Sequence, residues 1–103
     1  GRDGRGIFIG DPAEIGWITA EGDYVRVHTG DRPLLLRDSI GRWEQALGTT
    51  HRRIHRSTIV NVACVRELRP ATNRDLIVVL NDGTTERASR TYAPRLRSAL
   101  ARS

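Results

Sequence analysis

The chain has 103 residues, a length that suits one domain with one hydrophobic core. All 17 of its cationic Lys/Arg positions are arginine, and with 12 acidic residues the formal net charge is +5. A basic balance favours a polyanionic partner, of which nucleic acid is the commonest soluble example. The absence of lysine is typical of a GC-rich genome, so the positions of the arginines carry more information than their number.

Cys64 is the only cysteine, which excludes an internal disulfide. It lies in an apolar run and is expected to pack as a small hydrophobe; a redox role is the less favoured alternative. No apolar run reaches the length of a membrane span and no signal peptide opens the chain, so we expect a cytoplasmic protein. Residues 1–6 resemble the remnant of a linker, which leaves 7–103 as the domain.

The first half of the chain predicts hairpins followed by a helix. Asp11 to Glu14 fits a single helical turn, with an N-cap residue and then proline. Strands are predicted at residues 7–9, 15–21, 24–28 and 34–37, with turns at 22–23 and 30–33. Ser39 can cap a helix that runs to Leu47 and is ended by Gly48. The polar segment 49–55 is predicted as a loop.

The second half predicts another hairpin and a final helix. Residues 57–62 fit a helical turn or a strand equally well. Strands are predicted at 65–68, 76–80 and 84–88, with a turn at Asn81-Asp82-Gly83. A helix from about Tyr92 to Ala101 places Leu96 and Leu100 inward. The fold class is therefore mostly β with two short helices, and loops distant in sequence could gather on one side of the sheet.

Two short segments carry the chemistry. Each places an arginine beside a small hydroxyl residue, next to apolar residues that can be buried: His55-Arg56-Ser57 before Ile59-Val60, and Ser89-Arg90 after Ala88. An arginine on a short anchored loop is a forked donor that suits phosphate oxygens and guanine edges.

Other arrangements of polar residues have weaker functional interpretations. His51 and His55 have a spacing that suits zinc only on a helix and with a third ligand, and none is near, so no metal site is expected. Ser57 beside His55 has no glycine-framed elbow, so no catalytic residue is expected. Asn61 lies in an apolar run and is interpreted as tying the backbone of the preceding loop, with ligand contact as the alternative.

Tyr24 and Arg26 follow the first hairpin turn, and the sequence allows two interpretations for each of them. Tyr24 fits equally a core position or a hydroxyl that reaches a phosphate. Arg26 alternates with apolar Val25 and Val27 and so points outward, as a solvated charge or a phosphate contact.

The order and spacing of these pieces resemble the LytTR family, the DNA-binding output domain of many bacterial response regulators. The resemblance runs from Ile7 to Leu100 and rests on Glu14-Ile15, Ala20 to Val25, Leu36-Arg37, His55-Arg56-Ser57, Ile59-Val60-Asn61, Asp82-Gly83 and Ser89-Arg90. It implies an elongated, mostly β fold whose loops enter successive major grooves. The DNA-contacting residues that it implies are Tyr24, Val25, Arg26, His55, Arg56, Ser57, Ser89 and Arg90.

Within that set the resemblance implies that Arg56 and Arg90 read bases. Val25 is apolar, so Tyr24 or a methyl contact is expected to replace direct reading at the first loop. The family's usual bulky apolar residue before the His-Arg-Ser segment is replaced here by polar His51 and Arg52.

The sequence thus predicts a double-stranded DNA-binding domain of a bacterial transcription regulator. No cofactor and no membrane contact are expected. Its expected partners are tandem half-sites on DNA and an N-terminal regulatory domain in the full-length protein. The alternative is a small β protein-interaction or regulatory module without a nucleic-acid partner.

Overall fold

A computed structural model describes residues 10–30 and 32–102 of the chain. Within them lie two antiparallel sheets and two helices, which confirms the predicted mostly β fold class. The strands are β1 (Trp17–Glu21), β2 (Tyr24–His28), β3 (Leu34–Arg37), β4 (His51–His55), β5 (Thr58–Asn61), β6 (Val65–Pro70), β7 (Leu76–Leu80) and β8 (Thr85–Ala88). The helices are α1 (Ile40–Leu47) and α2 (Ala93–Ala101). The strand predicted at residues 7–9 lies outside the described residues.

The first sheet has the strand order β3-β2-β1-β5-β4, and the second has the order β6-β7-β8. The described body is elongated, with principal extents of 42 × 24 × 23 Å. Both predicted hairpin turns are present, and Gly22 (φ 61°) and Gly83 (φ 90°) supply the left-handed backbone conformation that their turns use. No helix in the described ranges is long and apolar enough to cross a membrane.

Strand β5 separates two hydrophobic clusters, where the composition predicted one core. All four of its residues are buried. Ile59 belongs to the cluster that α1 covers, together with Ile15, Ile18, Val25, Val27, Leu36 and Ile40. Val60 belongs to the cluster that α2 and the second sheet cover, together with Ile54, Leu76, Val78, Leu80, Ala88, Ala93 and Leu96. Successive side chains on a strand point to opposite faces, so one strand contributes to both clusters.

The two helices match their predicted limits closely. The Ser39 hydroxyl accepts a hydrogen bond from the Arg42 backbone N–H at 3.3 Å, which is the predicted N-cap of α1. Pro94 lies in the first turn of α2, where a missing N–H costs nothing. Leu96 is fully buried, whereas the side chains of Arg95, Arg97 and Arg102 are exposed.

The prediction of a loop over residues 49–55 is wrong, because His51–His55 forms the edge strand β4. The sequence of β4 does not alternate regularly between apolar and polar residues. Polar side chains are tolerated at its buried and partly buried positions because other elements of the fold provide their hydrogen-bond partners. Nε2 of His51 donates to the Ile15 carbonyl oxygen (3.1 Å), and Arg53 pairs with Glu44 (2.9 Å). Residues 57–62, for which the sequence allowed a helical turn or a strand, contain strand β5. A 3-10 turn at Val62–Cys64 follows it.

His51 and Asn61 together hold the segment that precedes β1. The Asn61 amide donates to the carbonyl oxygens of Ala13 (3.3 Å) and Ile15 (3.0 Å), and its oxygen accepts the N–H of Ala63 (2.9 Å). Asn61 thus ties residues far earlier in the chain and the turn that follows, instead of the preceding loop. Burial lowers the pKa of His51, so its ring is neutral near pH 7. With Nε2 bonded to Ile15 and Nδ1 2.8 Å from the Thr50 hydroxyl, the ring has no free nitrogen for a metal.

We expect Asn61→Ala to lower the free energy of unfolding by about 1–3 kcal/mol, because it leaves buried backbone groups without their partner. Gln45→Ala, which removes an amide from an exposed position of α1, is the control and should change stability little. Urea unfolding followed by circular dichroism measures both. An Asn61→Ala domain as stable as the control would contradict the structural role.

Candidate nucleic-acid interface

Three loops lie at one end of the first sheet. The Ala20 N–H donates to the Ser57 carbonyl oxygen (2.8 Å), which places the β1–β2 turn beside the β4–β5 turn. The Ser89 N–H donates to the Ile54 carbonyl oxygen (2.8 Å), which joins the end of β8 to β4. We call the resulting surface the loop face and define it by Tyr24, Arg26, His55, Arg56, Ser57, Ser89 and Arg90. The structure therefore brings together segments that are separate in sequence.

A β-bulge at Ile54 explains how β4 reaches both the β4–β5 turn and the second sheet. Arg53 pairs with Ile59 and His55 with Thr58, so Ile54 is an extra residue on β4. Its side chain is buried in the cluster beneath α2, while its carbonyl oxygen accepts the Ser89 N–H. A bulge bends a strand and changes the direction of the side chains that follow it. This one joins the two sheets directly beside the predicted DNA-contacting residues.

The β4–β5 turn has its own internal hydrogen bonds. Nδ1 of His55 accepts the backbone N–H of Ser57 (3.2 Å) and lies 2.9 Å from the Ser57 hydroxyl. When Nδ1 accepts these hydrogen bonds, Nε2 is the donor nitrogen of the ring. The Ser57 hydroxyl is bonded to His55, so Ser57 shapes the turn. Arg56, at the tip, is exposed.

Arg53 lies beneath this turn, with only 15% of its side chain exposed. Its Nε donates to the His55 carbonyl oxygen (2.9 Å) and its Nη2 donates to the Arg56 carbonyl oxygen. Its Nη1 forms a salt bridge with Glu44 of α1 (2.9 Å). The guanidinium carbon lies 5.9 Å from the centre of the Tyr92 ring, within the range of a cation–π contact.

The Arg90 loop is held by the carboxylate of Asp75, which directly precedes β7 and lies beside the end of β8. Oδ1 of Asp75 accepts the backbone N–H of Arg90 (2.8 Å), and Oδ2 pairs with Nε of Arg87 (2.8 Å). Arg87 and the Arg90 N–H keep the pKa of Asp75 below its usual range. The carboxylate therefore stays charged, and this contact persists, until the pH falls below that range. The N–H groups of Tyr92 and Ala93 then donate to the Ser89 carbonyl oxygen (2.9 Å each).

The side chains of Arg56 and Arg90 differ from the other arginines near these loops. Arg26, Arg53 and Arg87 each form a salt bridge. Neither Arg56 nor Arg90 has a salt bridge with any acid in residues 10–30 or 32–102, and both are exposed. A fixed backbone and a guanidinium that forms no salt bridge suit an arginine that binds an anion.

The first loop departs from the prediction. Val25 is fully buried in the cluster beneath α1, so the expectation that it contacts DNA is wrong. Its position on β2 alternates with Tyr24 and Arg26, and the apolar side chain takes the inward face. Tyr24 is 38% exposed, which favours a surface role over a core role. Arg26 pairs with Glu21, with its Nε 2.5 Å from Oε2, and this pairing lowers the pKa of Glu21.

The sequence did not identify Arg53, Glu44 and Asp75, which hold the loops that carry Arg56 and Arg90. Arg53 is the middle arginine of His51-Arg52-Arg53-Ile54-His55-Arg56, and nothing local distinguishes it from its neighbours. Asp75 precedes a buried strand and has the sequence context of an ordinary turn residue. Their partners lie 2 to 15 positions away, and only the folded chain shows which of the nearby groups they pair with.

The sequence model of the LytTr DNA-binding domain matches residues 5–101. The chain belongs to the LytTR family of DNA-binding domains. It is 32% identical over 98 residues to the sensory transduction protein LytT of Bacillus subtilis (strain 168). The aligned region covers 94% of this chain and 41% of that protein. The LytTR chain thus spans less than half the length of this curated relative.

A solved structure shares the fold. It is a LytTr DNA-binding domain of a response regulator from Bacillus cereus, with a TM-score of 0.79 at 23% sequence identity. The match covers 86% of this LytTR chain and 83% of the solved chain. At that identity the comparison supports the fold alone, that is, the architecture of two sheets and two short helices.

We expect Asp75→Ala to release the backbone amide of Arg90, so that this amide exchanges with solvent deuterium several-fold faster. Asp82→Ala is the matched control, because Asp82 accepts the Thr84 N–H (2.9 Å) in the β7–β8 turn. It should accelerate exchange at Thr84 and leave Arg90 unchanged. Amide-resolved NMR exchange measures both sites, and equal Arg90 rates in the two variants would show that Asp75 does not hold this loop.

Proposed function

We propose that this domain binds double-stranded DNA with sequence preference by placing the loop face in the major groove. The observation that carries the proposal is the placement of Arg56 and Arg90 on adjoining, hydrogen-bonded loops, where both are exposed and neither forms a salt bridge within residues 10–30 and 32–102. The net charge of +5 favours association with a polyanion. Membership of the LytTR family supports DNA as that polyanion.

In this proposal Arg56 and Arg90 read base edges. A guanidinium can donate two parallel hydrogen bonds to O6 and N7 of guanine, the commonest specific contact in the major groove. Each arginine lies on a loop whose backbone is already ordered, so less conformational entropy is lost on docking. Because Arg56 and Arg90 lie on two adjoining loops, they are suited to contact two different bases of the same DNA site.

The remaining residues of the loop face position the DNA backbone. Nε2 is the ring nitrogen of His55 that the turn does not use, and Tyr24 is partly exposed, so both suit phosphate oxygens. Ser57 and Ser89 shape their loops through the bonds described above. Arg26 reaches a phosphate only by leaving Glu21, so its contribution is expected to be electrostatic and modest.

We further propose that this domain is the output part of a bacterial transcription regulator. The curated relative is named a sensory transduction protein, and the present chain matches 41% of it. The rest of such a protein has room for an N-terminal regulatory domain. A protein that acts on the bacterial chromosome works in the cytoplasm, and the proposal requires neither a cofactor nor catalysis.

We expect Arg56→Ala and Arg90→Ala each to flatten the preference at one or two operator positions, by about 1–3 kcal/mol of discrimination. Arg26→Ala is the comparison and should weaken all sequences alike, with a change of about one unit or less in the salt slope. The measurement is binding to a set of single-base operator variants at several salt concentrations.

Two results would contradict this assignment. If Arg90→Ala and Arg56→Ala lower the affinity for every operator variant by the same factor, these residues contact phosphates and do not read bases. If wild-type binding to duplex DNA has no dependence on salt, the domain does not use phosphate contacts, and the protein-interaction module becomes the better interpretation.

We propose that two copies occupy tandem half-sites about one helical turn apart, because domains on the same side of the duplex can then bind together. Inserting about half a turn between the half-sites moves one copy to the opposite side of the DNA. Paired occupancy in a mobility-shift titration should then fall, while occupancy of a single half-site stays the same. Indifference to the spacing would exclude this arrangement.

A further inference from the structure

Arg53 is placed to control the shape of the turn that carries Arg56. Two of its nitrogens donate to consecutive backbone carbonyls, those of His55 and Arg56. The carbonyl of His55 belongs to the peptide before Arg56, and the carbonyl of Arg56 belongs to the peptide after it. Both peptide planes that flank Arg56 are therefore held by one guanidinium, which fixes the direction in which the Arg56 side chain leaves the backbone.

The third contact of Arg53 keeps this guanidinium in place. A cation with 15% of its side chain exposed loses much of its hydration, and it needs a partner to remain there. Glu44 on α1 supplies that partner at 2.9 Å. Because α1 is fixed to the first sheet through Ile40 and Trp43, the salt bridge connects the turn to the core beneath α1.

Arg53 itself is poorly placed to contact DNA. Its charge is offset by Glu44, and its Nε, Nη1 and Nη2 all donate within the protein. Arg56, three residues later, has no acidic partner in the described part of the chain. The two arginines thus have separate tasks, one internal and one external.

We propose that Arg53 is a positioning residue for DNA recognition, which sets the base preference of Arg56 by holding the two peptides on either side of it, and that Glu44 is its anchor. The proposal rests on the DNA-binding function proposed above. Lysine cannot replace Arg53, because an ammonium lacks the planar fork that reaches two carbonyls and a carboxylate at once. The contact with Tyr92 is longer, so the effect falls mainly on the Arg56 positions and less on those of Arg90.

The test compares Arg53→Lys, Glu44→Gln and Arg56→Ala in binding to the set of single-base operator variants. Arg53→Lys should reduce discrimination at the positions that Arg56→Ala flattens, by about tenfold. Glu44→Gln should affect the same positions less, because the carbonyl contacts remain. Neither should change the salt slope by a full unit, since neither removes a phosphate contact.

The matched control is Arg69→Ala, which removes an arginine from the exposed Glu67–Arg69 pair on β6. It should leave the preference profile unchanged. A double variant separates positioning from direct contact: with Arg56→Ala already present, Arg53→Lys should cause no further loss at those positions. Thermal unfolding of each variant checks the fold, and Glu44→Gln, at a partly exposed helix position, provides the test should Arg53→Lys not fold.

The outcomes distinguish this proposal from the function on which it rests. If the wild-type domain shows no base preference, the proposed function fails and the positioning role fails with it. If Arg56→Ala flattens certain positions and both Arg53→Lys and Glu44→Gln leave them intact, only the positioning role is overturned. Additive losses in the double variant would likewise overturn it, because Arg53 would then act independently of Arg56.

Discussion

The burial of β5 on both faces is the constraint on which the rest of this structure depends. Ile59 packs beneath α1 and Val60 packs beneath α2 and the second sheet. A shift of one residue in the pairing of β5 would exchange these side chains between the two clusters, so the register is strongly specified. The β4–β5 turn directly precedes this strand. Its position, and that of Arg56, therefore follow from the packing of the core.

Arginine has two distinct tasks around the loop face. Arg53 and Arg87 are paired with acids and donate to neighbouring groups, so they order the loops. Arg56 and Arg90 lie on ordered backbone and form no salt bridge within the described ranges. Loops that read DNA need this separation, since a flexible loop would lose conformational entropy on binding and an arginine already paired would have to leave its acid.

The contacts that hold the loops come from distant elements. Asp75 lies before β7 and accepts the Arg90 N–H, Ile54 lies in a bulge of β4 and accepts the Ser89 N–H, and Glu44 of α1 holds Arg53. Each contact joins a loop to a strand or helix whose own position the core determines. This arrangement explains how the loops can present side chains with defined directions.

The sequence by itself determined the features that depend on local chemistry. The glycine turns, the Ser39 cap, the proline in the first turn of α2 and the two Arg-hydroxyl segments were all visible in the order of residues. Only the tertiary structure decided that residues 51–55 form a strand, that Val25 is buried and that Arg53 and Asp75 hold the loops. Turns and caps involve residues a few positions apart, so they leave a local pattern. The partners of an edge strand, and an acid such as Glu44 that pairs with a buried arginine, are brought near by the fold, and no local pattern records them.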